Sequence, residues 1–195
     1  MKKLFALILF YPTFLFAQLD IKLNLPATAT LKPEIGLEMG YDKFSLEITN
    51  GLILNKWAKG TVTDNEGNEF KTGINRFGYN GTIRANYYFN PIETLDGWYI
   101  SPMIKYRSQK IKFDDPIKNK RAGVALAFGR KGLIFDQLGY SVETGFGYWI
   151  INSYKNSSGE SDPVYKDAFI FQNLLETLDK VIVPFNIGIF YRIGG

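Results

Sequence analysis

Along most of the chain, apolar and polar residues alternate one for one. Between Phe77 and Phe89, one parity holds Phe77, Tyr79, Gly81, Ile83, Ala85, Tyr87 and Phe89, and the other holds Gly78, Asn80, Thr82, Arg84, Asn86 and Tyr88. Successive side chains of a strand point to opposite faces, so this segment predicts a strand with one apolar and one polar side. The same period recurs over Leu19–Leu25, Ile35–Tyr41, Phe44–Thr49, Trp98–Arg107, Ala122–Gly129, Leu138–Tyr148 and Phe185–Ile193, which predicts eight strands in all. Pro26 and Pro102 lie at or within two of these runs, where a bulge or an early strand end is expected.

The connections differ in length. Asp42-Lys43 predicts a tight turn, and Asn90–Gly97 and Arg130–Gln137 are short. Asn55–Asn75 and Asn152–Val181 are long, and Asp114–Arg121 is intermediate. Alternation of long and short connections predicts an up-and-down barrel with its long loops at one mouth, as in outer membranes. Leu31-Lys32-Pro33 breaks the rule, being a short connection where a long one belongs.

Alternation alone does not say which face is wet. The apolar parity is crowded with large rings: Tyr41, Phe44, Phe77, Tyr79, Tyr87, Phe89, Trp98, Tyr106, Tyr140, Phe146, Tyr148 and Tyr191. The interior of an eight-stranded barrel is only just wide enough for side chains to fill it, too narrow for all of these. The other parity is rich in Gly, Ala and Ser, which suits a narrow lumen. Several rings fall near strand ends, where interfacial girdles form. The expectation is therefore an all-β fold: a single eight-stranded antiparallel up-and-down transmembrane β-barrel with a polar, side-chain-filled lumen. A secreted β-sandwich or lipocalin-like barrel, with the apolar face inside, is the competing arrangement.

Composition narrows the function. Lys2 and Lys3 precede an apolar run from Leu4 to Phe16 and a small Ala17, which predicts a signal peptide over 1–17 and a barrel domain over 18–195. Lys and Arg number 23 and Asp and Glu 19; without Lys2 and Lys3 the balance is 21 to 19, too neutral for a nucleic-acid binder. There is no cysteine and no histidine. That excludes Ser-His-Asp and Cys-His catalysis and leaves no thiolate or imidazole for a metal. The expectation is no enzyme, no cofactor and no metal site. The mean hydropathy of −0.10 excludes a bundle of membrane helices.

With the polar face inside, the lumen holds Asp20, Lys22, Glu38, Glu47, Arg84, Lys105, Arg107, Glu143 and Arg192, five cations and four anions. Buried charges without partners are costly, so they are expected to pair. The Asp42-Lys43 turn sets Glu38 opposite Glu47, and like charges across a ladder need a cation between them. Lys22 lies near the Glu38 level, Arg84 is expected beside Glu47, and closing the last strand on the first brings Arg192 to Asp20. These pairings predict a charged plug centred on Glu47–Arg84.

The apolar leader, the eight alternating strands and Asn186-Ile187-Gly188-Ile189-Phe190-Tyr191-Arg192-Ile193 resemble the small outer-membrane β-barrels of the OmpA/OmpX type. Pro33–Tyr41 with Lys43–Glu47, and Asn86-Tyr87-Tyr88-Phe89 followed by Gly97-Trp98-Tyr99-Ile100, more closely resemble a group of small Bacteroidetes barrels of unknown function. Such barrels usually finish on an aromatic residue, similar to the signal read by the outer-membrane assembly machinery. Here Ile193-Gly194-Gly195 follow the last aromatic, Tyr191. The resemblance implies a monomer in the outer membrane of a Gram-negative bacterium, with outer-membrane lipid and that machinery as its partners.

Three further segments carry weaker signals. Gly145-Phe146-Gly147 lacks the strand–loop–helix context of a nucleotide site and reads as strand. Asp64–Glu69 does not fit the calcium loop and reads as an exposed hairpin tip. Ala168, Phe171, Leu175, Leu178 and Ile182 share one helical face, predicting a short helix over Asp167–Asp179 in the last long loop. Three function classes follow: a structural or accessory outer-membrane barrel whose loops Trp57–Asn75 and Asn152–Lys180 contact an extracellular ligand or protein; a small channel; and a soluble secreted binding barrel.

Overall fold

The computed structural model describes residues 18–54, 59–63, 69–73, 75–89, 91, 93–112, 116–161 and 172–194. The expected signal peptide and the first part of the expected helix, 167–171, lie outside the described residues. The strands that form the wall are β1 (Gln18–Asn24), β2 (Glu34–Tyr41), β3 (Phe44–Ile53), β6 (Asn75–Phe89), β7 (Gly97–Lys112), β8 (Ile117–Leu133), β9 (Leu138–Lys155) and β11 (Phe185–Ile193). Between them lie β4 (Lys59–Thr63), β5 (Glu69–Gly73) and β10 (Val181–Ile182), and two helices, α1 (Leu25–Ala29) and α2 (Gln172–Asp179).

Each wall strand pairs antiparallel with its sequence neighbour, and β11 pairs with β1 from Leu19↔Ile193 to Asn24↔Gly188. The eight strands therefore close into an up-and-down barrel. β4 and β5 form a separate hairpin within the loop joining β3 to β6. Both chain ends of the barrel, Gln18 and Ile193, lie at the mouth with the short turns. The wall is uneven: β6 to β9 run 15 to 18 residues, against 7 to 10 for β1, β2, β3 and β11. The extra length stands at the long-loop mouth.

The two parities separate as read from the sequence. Tyr41 and Phe77 are 68% and 66% exposed on the outside, whereas Asp20, Glu38 and Lys131 are 0% exposed inside. All twelve aromatics of the apolar parity point outward; Tyr87 and Tyr140 are half-buried and the rest exposed. Tyr87 packs edge to face on Phe89 and tilted against Phe44, and Trp98 stacks on Phe128 at 5.1 Å. The interior does hold aromatics of the other parity: Tyr88, Tyr99, Trp149 and Phe190 are all buried. Such an arrangement is the inverse of a lipocalin-like core.

Several strands differ from the sequence reading: β3 runs on to Ile53 and β7 to Lys112, and other differences follow from particular residues. The β1–β2 connection runs from Leu25 to Pro33 rather than Leu31 to Pro33, because Pro26 ends the strand and starts α1. The Asn24 side chain caps that helix, accepting from the Ala27 amide at 3.0 Å. β8 extends at both ends, taking in Ile117–Arg121 and Arg130–Leu133, whose composition is that of connections. Pro102 neither ends nor bulges β7. The β6–β7 ladder lacks pairs at Ser101 and Pro102, where proline has no N–H, yet resumes in the same register. β9 continues to Lys155 through a bulge: Ala122 pairs with Ile151 and Gly123 with Trp149, so Ile150 is the extra residue. The bulge turns Ile150 and Ile151 outward together and reverses parity, so that Asn152 and Tyr154 face inward.

Candidate functional site

The interior polarity is concentrated in one connected structure. Cross-strand registers bring Asp20, Glu38 and Glu47 into one row, Asp20↔Glu38↔Glu47, followed by Arg84 opposite Glu47. On the other side of β1, Asp20 sits opposite Arg192. The ion pairs run in strict alternation of sign. Arg192 Nε meets Asp20 at 3.0 Å, Asp20 pairs with Lys131, and Lys131 Nζ meets Glu38 at 2.6 Å. Lys22 Nζ bridges Glu38 at 2.6 Å and Glu47 at 2.7 Å. Arg84 reaches Glu47 at 3.6 Å and donates to both oxygens of Glu143 at 2.6 Å. Four buried cations and four buried anions thus form one chain of eight, whose Arg192 end also meets the exposed Glu93 at 3.7 Å, and the eight buried members carry no net charge.

The centre is Glu38, not the Glu47–Arg84 pair expected from the turn arithmetic. Besides Lys22 and Lys131, Glu38 accepts from Ser45 Oγ, from Asn86 Nδ2 at 2.7 Å and from Tyr88 Oη at 2.6 Å. A carboxylate has about four lone-pair positions, and this one is fully engaged. Glu143 similarly accepts from the Tyr99 hydroxyl at 2.8 Å. Gly36 lies beside the Lys22 bridge: a Cβ there would stand 3.3 Å from Glu47 Oε1 and 3.5 Å from Lys22 Cβ.

Lys131 is the member absent from the sequence reading, because Arg130–Gln137 has the composition of a connection. The signal is nonetheless present: Lys131 continues the inward parity of Ala125, Ala127 and Gly129. Tyr88, Tyr99 and Phe190 fall on the expected polar parity, where alternation alone assigns them no role. Tyr88 and Tyr99 cap the acids, and the Phe190 ring lies 4.4 Å from the Lys131 ammonium. Glu34, also without a role in the sequence reading, accepts from Asn24 at 2.7 Å and from Asn80.

Lys105 and Arg107, both expected in the plug, stand on the inner face of β7 but outside the chain of eight. Among the described residues no carboxylate lies within ion-pair distance of Lys105. Arg107 lies over the Trp149 ring at 5.6 Å. Trp149 belongs to an apolar layer with Met103, Ala125, Ala127 and Ile182 on the long-loop side of the charges. At the opposite mouth Leu95, 0% exposed, is turned into the barrel by a backbone with φ 63° and packs on Tyr88 and Tyr99. Arg192 donates to the Leu95 carbonyl at 3.2 Å, tying the turn to the charge layer.

Beyond the apolar layer, the last long loop is latched to the tall wall. Asp179, at the end of α2, accepts from Arg121 at 2.5 Å, Asn152 at 2.6 Å and Tyr154 at 2.8 Å. The helix expected over Asp167–Asp179 is observed over Gln172–Asp179. Among the described residues no group of His, Cys, Asp and Glu is arranged to hold a metal ion.

No family model matches the chain, and no curated protein matches it. Among solved structures, a major outer membrane protein from Thermus thermophilus is similar over 91% of this chain and 98% of its own, at 11% sequence identity and a TM-score of 0.48.

Proposed function

We propose that the protein is a non-catalytic outer-membrane barrel with a sealed lumen, serving a structural or accessory role, whose long loops meet the exterior. The observation that carries this reading is the inverted barrel itself: large aromatic and aliphatic residues all round the outside, and a balanced chain of ion pairs within. An apolar band of that kind is stable against lipid and unstable against water. No helix among the described residues is long and apolar enough to cross a membrane, so crossing falls to the strands. Their closure, β11 on β1, pairs the backbone groups of the wall strands with one another across the band.

The sealed lumen is supported by the burial of the charge layer. Asp20, Glu38, Tyr88 and Lys131 have no surface that water can reach, which a continuous pore through that level would give them. The Leu95 turn below and the Trp149 layer above add apolar barriers. These features favour an accessory role over the channel reading. With neither histidine nor cysteine in the sequence, the commonest nucleophilic and metal-assisted hydrolytic machinery has no residues to use. The partners in this reading are outer-membrane lipid, the assembly machinery and an extracellular ligand or protein.

The test joins fractionation to electrophysiology. The full chain should co-purify with outer membranes and migrate faster on an unboiled than on a boiled gel. In planar bilayers it should give no stable open conductance. Recovery as a soluble periplasmic or secreted protein would overturn the membrane reading; large stable openings would overturn the seal.

A further inference from the structure

On the outer face of the tall wall, the apolar band ends in a row of lysines. Along β7 the outward positions run Ile104, Tyr106, Ser108, Lys110; along β8, read toward the same mouth, Val124, Ala122, Lys120, Lys118; along β9, Ile151, Ser153, Lys155. The registers align them directly. Phe77 of β6 faces Lys110, Lys110 faces Lys118, and Lys118 faces Lys155. Opposed Cβ atoms in a ladder are about 4.5–5.5 Å apart, so three exposed ammonium stems stand side by side. Like charges directly across a ladder destabilise it. Among the described residues no carboxylate lies within ion-pair distance of any of the three. Asp114 and Asp115 fall in the β7–β8 connection outside the described residues.

A groove of about 640 Å³ opens beside this row. It is lined by the outward side chains of Leu52, Phe77 and Tyr79 together with Lys110, Lys118 and Asn156. Apolar and cationic residues line the same groove, at the end of the apolar band where lipid headgroups lie. We infer that this groove holds an anionic membrane lipid of the long-loop leaflet, with an acyl chain along Phe77 and Tyr79 and its phosphate on Lys110 and Lys118, which line the groove, and on Lys155, which adjoins it across the ladder from Lys118. The inference rests on the membrane reading above. A phosphate-bearing lipid fits where a soluble acidic protein does not, because the site is half apolar and borders the band already facing hydrocarbon. The lipid phosphate also supplies a counter-charge that the lysine row lacks among the described residues.

The probe is bisphosphorylated lipid A, titrated into the full-length protein in zwitterionic detergent micelles and read by native mass spectrometry. A single bound lipid is expected. Each lysine contributes roughly fivefold near an anionic surface, so K110Q/K118Q/K155Q should bind about 100-fold more weakly, while K110R/K118R/K155R retains binding. The dephosphorylated lipid should bind as weakly as the glutamine variant. Equal binding by wild type and glutamine variant, indifference to dephosphorylation, or displacement by millimolar inorganic phosphate would each overturn the inference. So would absence of binding, the outcome expected if Asp114 and Asp115 neutralise the row. Resistance of the wild type to carbonate extraction from phosphatidylcholine vesicles, measured in parallel, separates these failures from failure of the membrane reading itself.

Discussion

Replacing Lys131 with methionine keeps an unbranched side chain one heavy atom shorter and removes its charge. In the folded barrel this takes the layer from four cations and four anions to three and four. Asp20 keeps Arg192, and Glu38 keeps Lys22 and its neutral donors Ser45, Asn86 and Tyr88, yet both carboxylates are 0% exposed and lose their shared cation. Breaking a buried pair by removing one partner costs about 3–5 kcal/mol. Against a net stability of about 5–15 kcal/mol for a typical domain, that is a large fraction. The sharper expectation concerns the double variant E38Q/K131M. Glutamine at 38 still accepts from the three neutral donors, and the layer returns to three cations and three anions. The double variant should therefore lie within about 2 kcal/mol of the wild type, with a coupling energy of at least about 2 kcal/mol. Urea titrations of the full chain in vesicles, read as loss of the fast-migrating band on unboiled gels, measure all four corners of the cycle. A cost below about 1 kcal/mol for K131M, or a double variant as unstable as the sum of its singles, would refute the claim that charge balance governs the layer.

Three other outcomes follow from the packing. Gly139→Ala would place a Cβ in overlap with the Phe190 ring and 2.5 Å from the Gly132 carbonyl oxygen, so the same urea assay should show a loss of about 1–3 kcal/mol. Asp179→Asn removes the charge shared by Arg121, Asn152 and Tyr154; hydrogen bonds to a charged group contribute about 1.5–3 kcal/mol, so amide exchange in α2 should quicken roughly tenfold or more while the barrel midpoint stays put. Unchanged exchange would show that the latch holds nothing. Trp98 is 47% exposed on the outer wall and Trp149 4% exposed within it. In a W57F background, brominated acyl chains should therefore quench the variant retaining Trp98 strongly and the variant retaining Trp149 weakly, and a reversed order would invert the barrel.

The architecture was legible in the sequence because period two is a strong signal when every strand has one lipid-type face and one lumen-type face. That signal oriented all twelve outward aromatics and set Glu38 against Glu47, since a two-residue turn at Asp42-Lys43 leaves no freedom in register. Asp42 adopts φ 53°, a conformation aspartate tolerates better than most residues. Where the reading stopped short, composition had overridden periodicity. Arg130–Leu133 looks like a polar turn, but its parity is unbroken and it carries Lys131 into the centre. The β9 bulge at Ile150 has no sequence signature, because two adjacent isoleucines fit a strand of either phase. The roles of Tyr88, Tyr99 and Phe190 were illegible for another reason. They depend on contacts between strands far apart in sequence, and single-strand alternation carries no information about those.

The outer wall cannot explain why the barrel adopts one register. Lipid is as apolar as the side chains it meets, so sliding a strand by two residues exchanges one greasy neighbour for another at little cost. The ladder hydrogen bonds are likewise the same in every even-numbered slip. What differs is the interior. A slip of two residues between β2 and β3 would set Glu47 opposite Gly36 or Gly40 instead of Glu38, away from the place where Lys22 reaches both acids. A slip at the β11–β1 seam would part Arg192 from Asp20 and unlatch the Leu95 turn that Arg192 also holds. Each misregistered pair leaves a buried charge uncompensated, and the alternating order of the chain passes that deficit to the next member. The ion pairs contribute less by their own attraction, much of which offsets desolvation, than by the expense of every arrangement in which they fail to meet. On this argument the interior charge encodes the closure of the barrel.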